Sequence, residues 1–333
     1  MTEIIDPTRK ILRFPRRLTP VKEGQQGSVI NVEWDLSNCC NLKCAHCDFA
    51  HVHDGYLTSQ NEADRILDQI VEAGALSVTI TGGGEPTLNP EFSRVARQAH
   101  GLGLAVGVYT NGTNLDALCQ SAPALTWVYV SLDAVSPQDY VERKLRGARS
   151  GRAMFFDVLN TVRVLTANRH HRANPTVGLG FLVDGKWTPA DLKDATVIAH
   201  DFGADYCQFR PIVGLTDYTW VDGLLSTLDA LVSPSVLVSR RRFTELQDWG
   251  RSYHLCLASE FVACVGADGT LWVCPNTRNL RPLGNLIDED WATLWGRRRR
   301  QTVGADCRVA CRGHELNETL HYVCGQSPHD TFV

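Results

Sequence analysis

Short apolar runs punctuate this chain at fairly regular intervals. Residues 29–36, 77–81, 105–110, 127–132, 176–182 and 206–213 are rich in Val, Ile, Leu and aromatic side chains over strand-like lengths. Between several of them apolar residues recur at helical spacing: 60–73, with Ile66, Leu67, Ile70 and Val71 on one face, then 91–102, 153–168 and 189–200. Strands separated by helices predict βαβ units and a parallel sheet. The predicted fold class is α/β, a partial (β/α)6 barrel of six such units. After about Pro234 the alternation stops. A basic, helix-like stretch follows, then a hairpin signal over 261–274 with turn residues Ala267, Asp268 and Gly269. Three parts are expected: an N-terminal extension (1–28), the partial barrel (29–235) and a small C-terminal domain with a tail (236–333).

Composition narrows the functional classes. With 333 residues, 44% hydrophobic and 21% charged, the chain reads as an ordered globular protein. A formal net charge of −4 offers no overall attraction to nucleic acid or to an anionic membrane. No apolar run approaches ~18 residues, and the start MTEIIDPTRKILRFPRR lacks an apolar segment after its charges. Neither a membrane span nor a secretory signal is predicted, so the expected location is the cytoplasm. Twelve cysteines there point to metal binding or catalysis rather than to disulfides.

The chemistry begins after the first strand run. Cys40, Cys44 and Cys47 form a C-x3-C-x2-C array. Three thiolates on one loop can hold three irons of a [4Fe–4S] cube and leave the fourth open, as catalytic zinc sites keep a vacancy. A structural zinc site using His46 or Cys39 is the alternative. Zinc sites usually have a second cysteine pair, however, and none follows within the next hundred or so residues. Other polar groups fall at predicted strand ends: Gly82, Gly83, Gly84 and Glu85 after the second, Asn111 after the third, Ser131 and Asp133 at the fourth, Gln208 and Arg210 at the sixth. Ligands of parallel α/β folds bind outside those ends.

Together the cysteine array and the glycine-rich Thr81-Gly82-Gly83-Gly84-Glu85-Pro86 segment resemble the radical S-adenosylmethionine (SAM) superfamily. The resemblance implies a [4Fe–4S] cluster on Cys40, Cys44 and Cys47 whose free iron chelates SAM. It further implies an electron donor such as flavodoxin or ferredoxin, and a 5′-deoxyadenosyl radical that takes hydrogen from an unactivated carbon. Gly83, Gly84 and Glu85 would hold the methionine amine, with glycine allowing close backbone approach to the ligand. His46 stands where the family commonly has an aromatic residue under adenine. Asn111, Ser131, Asp133, Arg146 and Arg210 are the remaining candidate SAM contacts; Arg146 is equally readable as part of a solvated basic turn.

The C-terminal third carries a second pattern. Cys256, Gly269 and Cys274 make C-x12-G-x4-C, followed by Gly284-Asn285-Leu286, a helix with Trp291 and Trp295, and Cys307-x3-Cys311. This is similar to the twitch domain and its longer SPASM relative. The resemblance implies one auxiliary [4Fe–4S] cluster, two in all, on Cys256, Cys274, Cys307 and Cys311. Cys264 and Cys324 are spare thiols able to replace one of these, and a zinc ribbon is the alternative.

Other features are read plainly. The four arginines at 297–300 form a solvated helix end rather than a nucleic-acid site, and Cys39 and Cys119 are incidental. Cys207 is a small core residue or, at a strand end near Gln208 and Arg210, a catalytic thiol returning hydrogen to a substrate radical. Relatives of this compact type imply a sugar-containing small-molecule substrate, an aminoglycoside or nucleoside antibiotic precursor, that is oxidised, epimerised or decarboxylated. Two alternatives stand beside it: a maturase of ribosomally made peptides, and a non-catalytic iron–sulfur or zinc scaffold.

Overall fold

The computed structural model describes residues 7–146, 151–168, 175–248, 250–278, 280–304, 307 and 310–325. Helices α1 (Pro7–Ile11) and α2 (Pro15–Lys22) precede β1 (Asn31–Asp35). Strand and helix then alternate: α3 (Gln60–Glu72), β2 (Ser77–Thr81), α4 (Phe92–Gly101), β3 (Ala105–Thr110), α5 (Leu115–Ser121) and β4 (Trp127–Ser131). Next come α6 (Pro137–Leu145), α7 (Arg152–Ala167), β5 (Thr176–Val183), α8 (Pro189–Asp201), β6 (Tyr206–Pro211) and α9 (Val221–Leu231). The remainder is β7 (Val236–Val238), α10 (Arg240–Gln247), β8 (Val262–Val265), β9 (Thr270–Trp272), β10 (Pro282–Asn285), α11 (Trp291–Gly296) and α12 (His314–Cys324).

All ten strands belong to one sheet, ordered β10-β9-β8-β1-β2-β3-β4-β5-β6-β7. Strands β1 to β6 are the predicted parallel core. Two features lie beyond the sequence reading. Strand β7 adds to β6 in parallel, so parallel pairing continues past residue 235. The predicted hairpin, β8 with β9, is antiparallel within itself, but β8 pairs in parallel with β1. The C-terminal segment thus extends the barrel's own sheet.

Period-two alternation explains the layering. Val32, Trp34, Val78, Ile80, Val106, Val108, Leu179 and Phe209 are fully buried, in one core with Ile66, Leu67 and Ile70 of α3 and Val158 and Val162 of α7. The opposite positions face inward. There Tyr129, Tyr206 and Leu237 form a separate apolar cluster against Tyr109 and Trp127. Gly180 is required for it, since a Cβ at that position would lie 2.0 Å from the Tyr129 hydroxyl. A third cluster joins Ile11, Leu18 and Val21 of the first two helices to Leu316 and Leu320 of α12, so the N-terminal extension packs on the C-terminal segment. Capping boxes at Ser59/Glu62 and Thr188/Asp191 start α3 and α8 where the sequence pattern puts them.

Candidate active site

The carboxyl ends of the parallel strands and the loops after them open on a cavity of about 1220 Å³. Of the predicted N-terminal set, every residue except Arg146 and Cys207 lies on its wall.

The cysteine loop is gripped from two sides. On one side the Gly84 N–H donates to Ser37 O (2.8 Å) and the Glu85 N–H to Cys39 O (2.7 Å). On the other, the N–H groups of Lys43 and Ala45 donate to the carbonyls of Lys144 (3.0 Å) and Arg143 (2.9 Å). Those carbonyls belong to the last turn of α6 and have no partner within the helix. Burial is the main cause of the raised pKa of each thiol, Cys40 reaching about 11; thiolate forms there when metal binds. Backbone N–H groups of Leu42 and of Phe49 and Ala50 aim at the Cys40 and Cys47 sulfurs and offset part of that cost. Among the described residues no three His, Cys, Asp or Glu side chains converge on a point able to hold one metal ion. Thiols bound to different corners of one iron–sulfur cube need not converge on one point, and all three lie on the cavity wall.

The glycine segment also meets a demand from within the chain. A Cβ on Gly84 would come within 2.0 Å of Cys39 O, and one on Gly83 within 2.7 Å of the Asn38 side chain. The close neighbour demanding glycine is the cysteine loop itself. Glu85 is buried and accepts from the Thr87 N–H (3.1 Å) and the hydroxyls of Thr87 (2.5 Å) and Thr110 (2.7 Å) on Oε1, and from the Asn111 N–H (2.6 Å) on Oε2. All four donors are neutral, burial raises the carboxyl's pKa against their opposition, and Oε2 keeps acceptor capacity. A buried carboxylate on the cavity wall with only neutral partners fits a ligand ammonium. Asn111 is tied to the cysteine loop as well, its Nδ2 donating to Asn41 Oδ1 (2.8 Å).

Asp133, a candidate SAM contact on the wall, is engaged by groups of the protein itself. It sits in the left-handed region (φ +56°), and its carboxylate meets Lys144 Nζ (2.5 Å), His46 Nε2 (3.3 Å) and the Leu182 N–H (2.7 Å). Lys144 and His46 hold it well below the usual carboxylate range despite burial. His46 is therefore fixed by Asp133 on the wall, and the pair ties the cysteine loop to α6 and β5. Lys144 was not foreseen, since in sequence it is one base in a basic helix end. Replacing it by Met leaves Asp133, 3% exposed, without its cation, and stability is expected to fall by about 3–5 kcal/mol, read from urea denaturation. Because the Asp133 pKa is depressed on folding, its stabilising contribution is present above the ordinary aspartate pKa and is lost as pH falls through the folded value.

Two expectations are corrected. Arg146 is exposed, at the C-cap of α6 with φ +49°, and points to no shared site; its partner in the motif, Gly147, lies outside the described residues. Cys207 is 1% exposed within the core between sheet and helices. On β6 the cavity takes Tyr206, Gln208 and Arg210, so alternation sends Cys207 to the other face. It is a packing residue.

The second cysteine group gathers beside the barrel mouth. Cys256, Cys274 and Cys311 are within electrostatic reach of one another. Asn276 bridges two of them, its backbone N–H donating to Cys274 Sγ (3.4 Å) and its Nδ2 to Cys311 Sγ (3.2 Å), while Asn317 Nδ2 donates to Cys256 Sγ (3.4 Å). Such N–H···S bonds are what tune cluster potentials. Cys307 lies on the loop that leads to Cys311. The spare thiols stand elsewhere: Cys264 accepts from Arg278 Nε (2.9 Å) beside Asp35, and Cys324 packs with the terminal helices. Cys311 lines the same cavity as Cys40, Cys44 and Cys47.

Arginines converge there too. Arg278 pairs with Asp35 (2.9 Å) and Arg312 with Glu33 (2.6 Å). Arg210 lies over the Tyr129 ring at 4.5 Å. The Arg242 pKa is lowered to about 10 by burial, with Arg210 and Arg312 adding repulsion. Glu33 and Asp35, two apart on β1, were a legible signal of an acidic inward face; the arginines they meet come from far along the chain.

The profile of the family described as Radical SAM superfamily matches residues 34–195. Those residues form a radical SAM core. The chain is 31% identical over 144 residues to an S-adenosylmethionine-dependent nucleotide dehydratase of Flammeovirga pacifica, covering 40% of this chain and 49% of that protein, so the chain spans about half of that relative's length. Mycofactocin maturase MftC of Mycobacterium tuberculosis is 26% identical over 278 residues, 78% of this chain and 68% of the maturase. Among solved structures, Streptococcus suis SuiB bound to its precursor peptide SuiA superposes with a TM-score of 0.64 at 14% identity, covering 87% of this chain and 70% of SuiB. The fold shared with SuiB therefore extends across barrel and C-terminal segment alike. Among the described residues no helix is long and apolar enough to cross a membrane.

Proposed function

We propose that this radical SAM enzyme oxidises a polar, sugar-containing small molecule held in the barrel, with clusters on both cysteine groups. The observation that carries the reading is that Cys40, Cys44 and Cys47 open on the same cavity as Cys311. When bound, a [4Fe–4S] cluster with SAM supplies hydrogen-atom abstraction, and a second cluster supplies one-electron oxidation. Cys40, Cys44 and Cys47 would hold the first, and Cys256, Cys274, Cys307 and Cys311 the second. Glu85 Oε2 would accept from the methionine ammonium. Ser131 and Gln208 on the inner wall would hydrogen-bond substrate hydroxyls, and the ring floor of Trp127, Tyr129 and Tyr206 would keep water from the reacting end. Oxidation is favoured over inversion because Cys207, the thiol that inversion would use, faces the other way.

A second reading, modification of a peptide, is supported by the similarity to mycofactocin maturase over 78% of the chain. One experiment separates them. Reconstituted enzyme, SAM and a reductant such as flavodoxin are incubated in deuterated water with candidate aminoglycoside or nucleoside precursors, and separately with precursor peptides. The expected result is 5′-deoxyadenosine together with a sugar product lighter by two hydrogen atoms and free of solvent deuterium. Cys256→Ala or Cys274→Ala should lose about half the iron and the oxidised product. A product that keeps its mass apart from solvent deuterium sinks oxidation, and turnover of peptides alone sinks the sugar substrate.

A further inference from the structure

Charge in the cavity does not balance. Glu33 and Asp35 are matched by Arg312 and Arg278, Asp133 by Lys144 and His46, and Arg241 by Glu318 (2.8 Å). Arg240 pairs with Asp229. Among the described residues of the wall, Arg210 from the end of β6 and Arg242 from α10 are cations held in no ion pair. Arg210 rests on the faces of Tyr129 (4.5 Å) and Tyr109 (5.7 Å), and its Nε is buried without a hydrogen-bond partner. Arg242 has one recorded bond, from Nε to Ala310 O (3.1 Å), which fixes the guanidinium and leaves its terminal nitrogens unengaged. Of the carboxylates that attract them, Asp133 is engaged by Lys144, and Glu245 accepts from the Cys311 N–H (2.8 Å) and lies 3.4 Å from His314.

Two partly buried guanidinium groups within electrostatic reach of each other, neither in an ion pair, repel one another, and an anion between them would offset that repulsion. Each is also held in place, one by ring faces and one by a backbone carbonyl, so little orientational freedom would be lost on binding. We propose that Arg210 and Arg242 form a subsite for an anionic oxygen group, carboxylate or phosphate, carried by the substrate. This rests on the cavity being the substrate site and narrows the substrate to molecules with such a group. It also reassigns Arg210 from SAM to substrate, because the groups suited to the methionine end, Glu85 and the cysteine loop, gather at the ends of β1 to β3.

The test uses enzyme with both clusters in place, without oxygen. Inorganic phosphate and acetate are titrated by calorimetry at constant ionic strength, with chloride as the control anion. Phosphate or acetate should bind saturably and chloride should not; the tighter of the two identifies the group. Arg242→Gln should weaken that binding about tenfold or more, Arg242→Lys should retain part of it, and SAM affinity should match the unaltered protein in both. Ligand-free Arg242→Gln should melt at or above the unaltered enzyme, since removing one of two repelling cations relieves strain that a merely structural arginine would not impose. Should Arg242→Gln lose iron, the lysine variant carries the comparison. Absence of saturable anion binding overturns the proposal and leaves the clusters as the compensating charge. Competition between SAM and the anion, or weaker SAM binding in the variants, equally overturns it by assigning the arginines to SAM. Production of 5′-deoxyadenosine, scored separately, reports on the functional reading and not on the subsite.

Discussion

Gly84→Val is expected to remove the first cluster, with SAM binding lost as a consequence, although residue 84 ligates nothing. A Cβ there falls 2.0 Å from Cys39 O and 2.4 Å from Cys39 C. Both are backbone atoms one residue before Cys40, so no rotamer change can relieve the contact. Overpacking a core with side-chain neighbours typically costs about 1–3 kcal/mol; here the structure must instead shift the cysteine loop. Doing so breaks the Gly84 to Ser37 and Glu85 to Cys39 hydrogen bonds and misplaces the thiols. On the proposed two-cluster content, iron should fall by about half and the proposed second cluster should stay, as read by iron analysis and electron paramagnetic resonance. A variant with full iron and weakened SAM affinity would instead restore the simpler idea that glycine makes room for the ligand.

The triple replacement of Cys40, Cys44 and Cys47 by Ala should abolish 5′-deoxyadenosine formation and, on the proposed two-cluster content, lower iron from about eight to about four per chain. Three ligands are lost at once and nothing nearby replaces them. Cys39, the adjacent thiol, donates to Gly55 O (3.0 Å) on the far side of the loop. The fold should survive, because the loop's grip on α6 and on the glycine segment uses backbone groups of other residues. Retention of all iron would mean that the array is not the cluster site. Comparison with Gly84→Val is informative, since both should lose the same iron, one by removing ligands and one by moving them.

Much of this site was legible before folding. Spacing within one loop, as at Cys40, Cys44 and Cys47, is a local property, and thiolate chemistry limits what such a loop can bind. Strand and helix periodicity likewise placed β1 to β6, because burial of one face per element is imposed residue by residue. The hairpin of β8 and β9 was legible for the same reason, with Gly269 at φ +84° as its turn.

What tertiary structure alone decided are the pairings. That Lys144 neutralises Asp133, that Thr110 and Asn111 donate to Glu85, and that a Cβ on Gly84 would meet Cys39 depend on which loops meet. Side-chain direction was equally out of reach for Cys207. A strand end next to the rim is visible in sequence, but the face it presents follows from register, where one residue separates cavity from core. The joining of β8 to β1 brought Cys311 and the arginines of the last hundred or so residues onto the barrel wall. Sequence determined which chemical groups this protein carries. Long-range sheet pairing determined which of them share one cavity, because the energy of a buried charge or a close backbone contact depends on its neighbours in space and not on those along the chain.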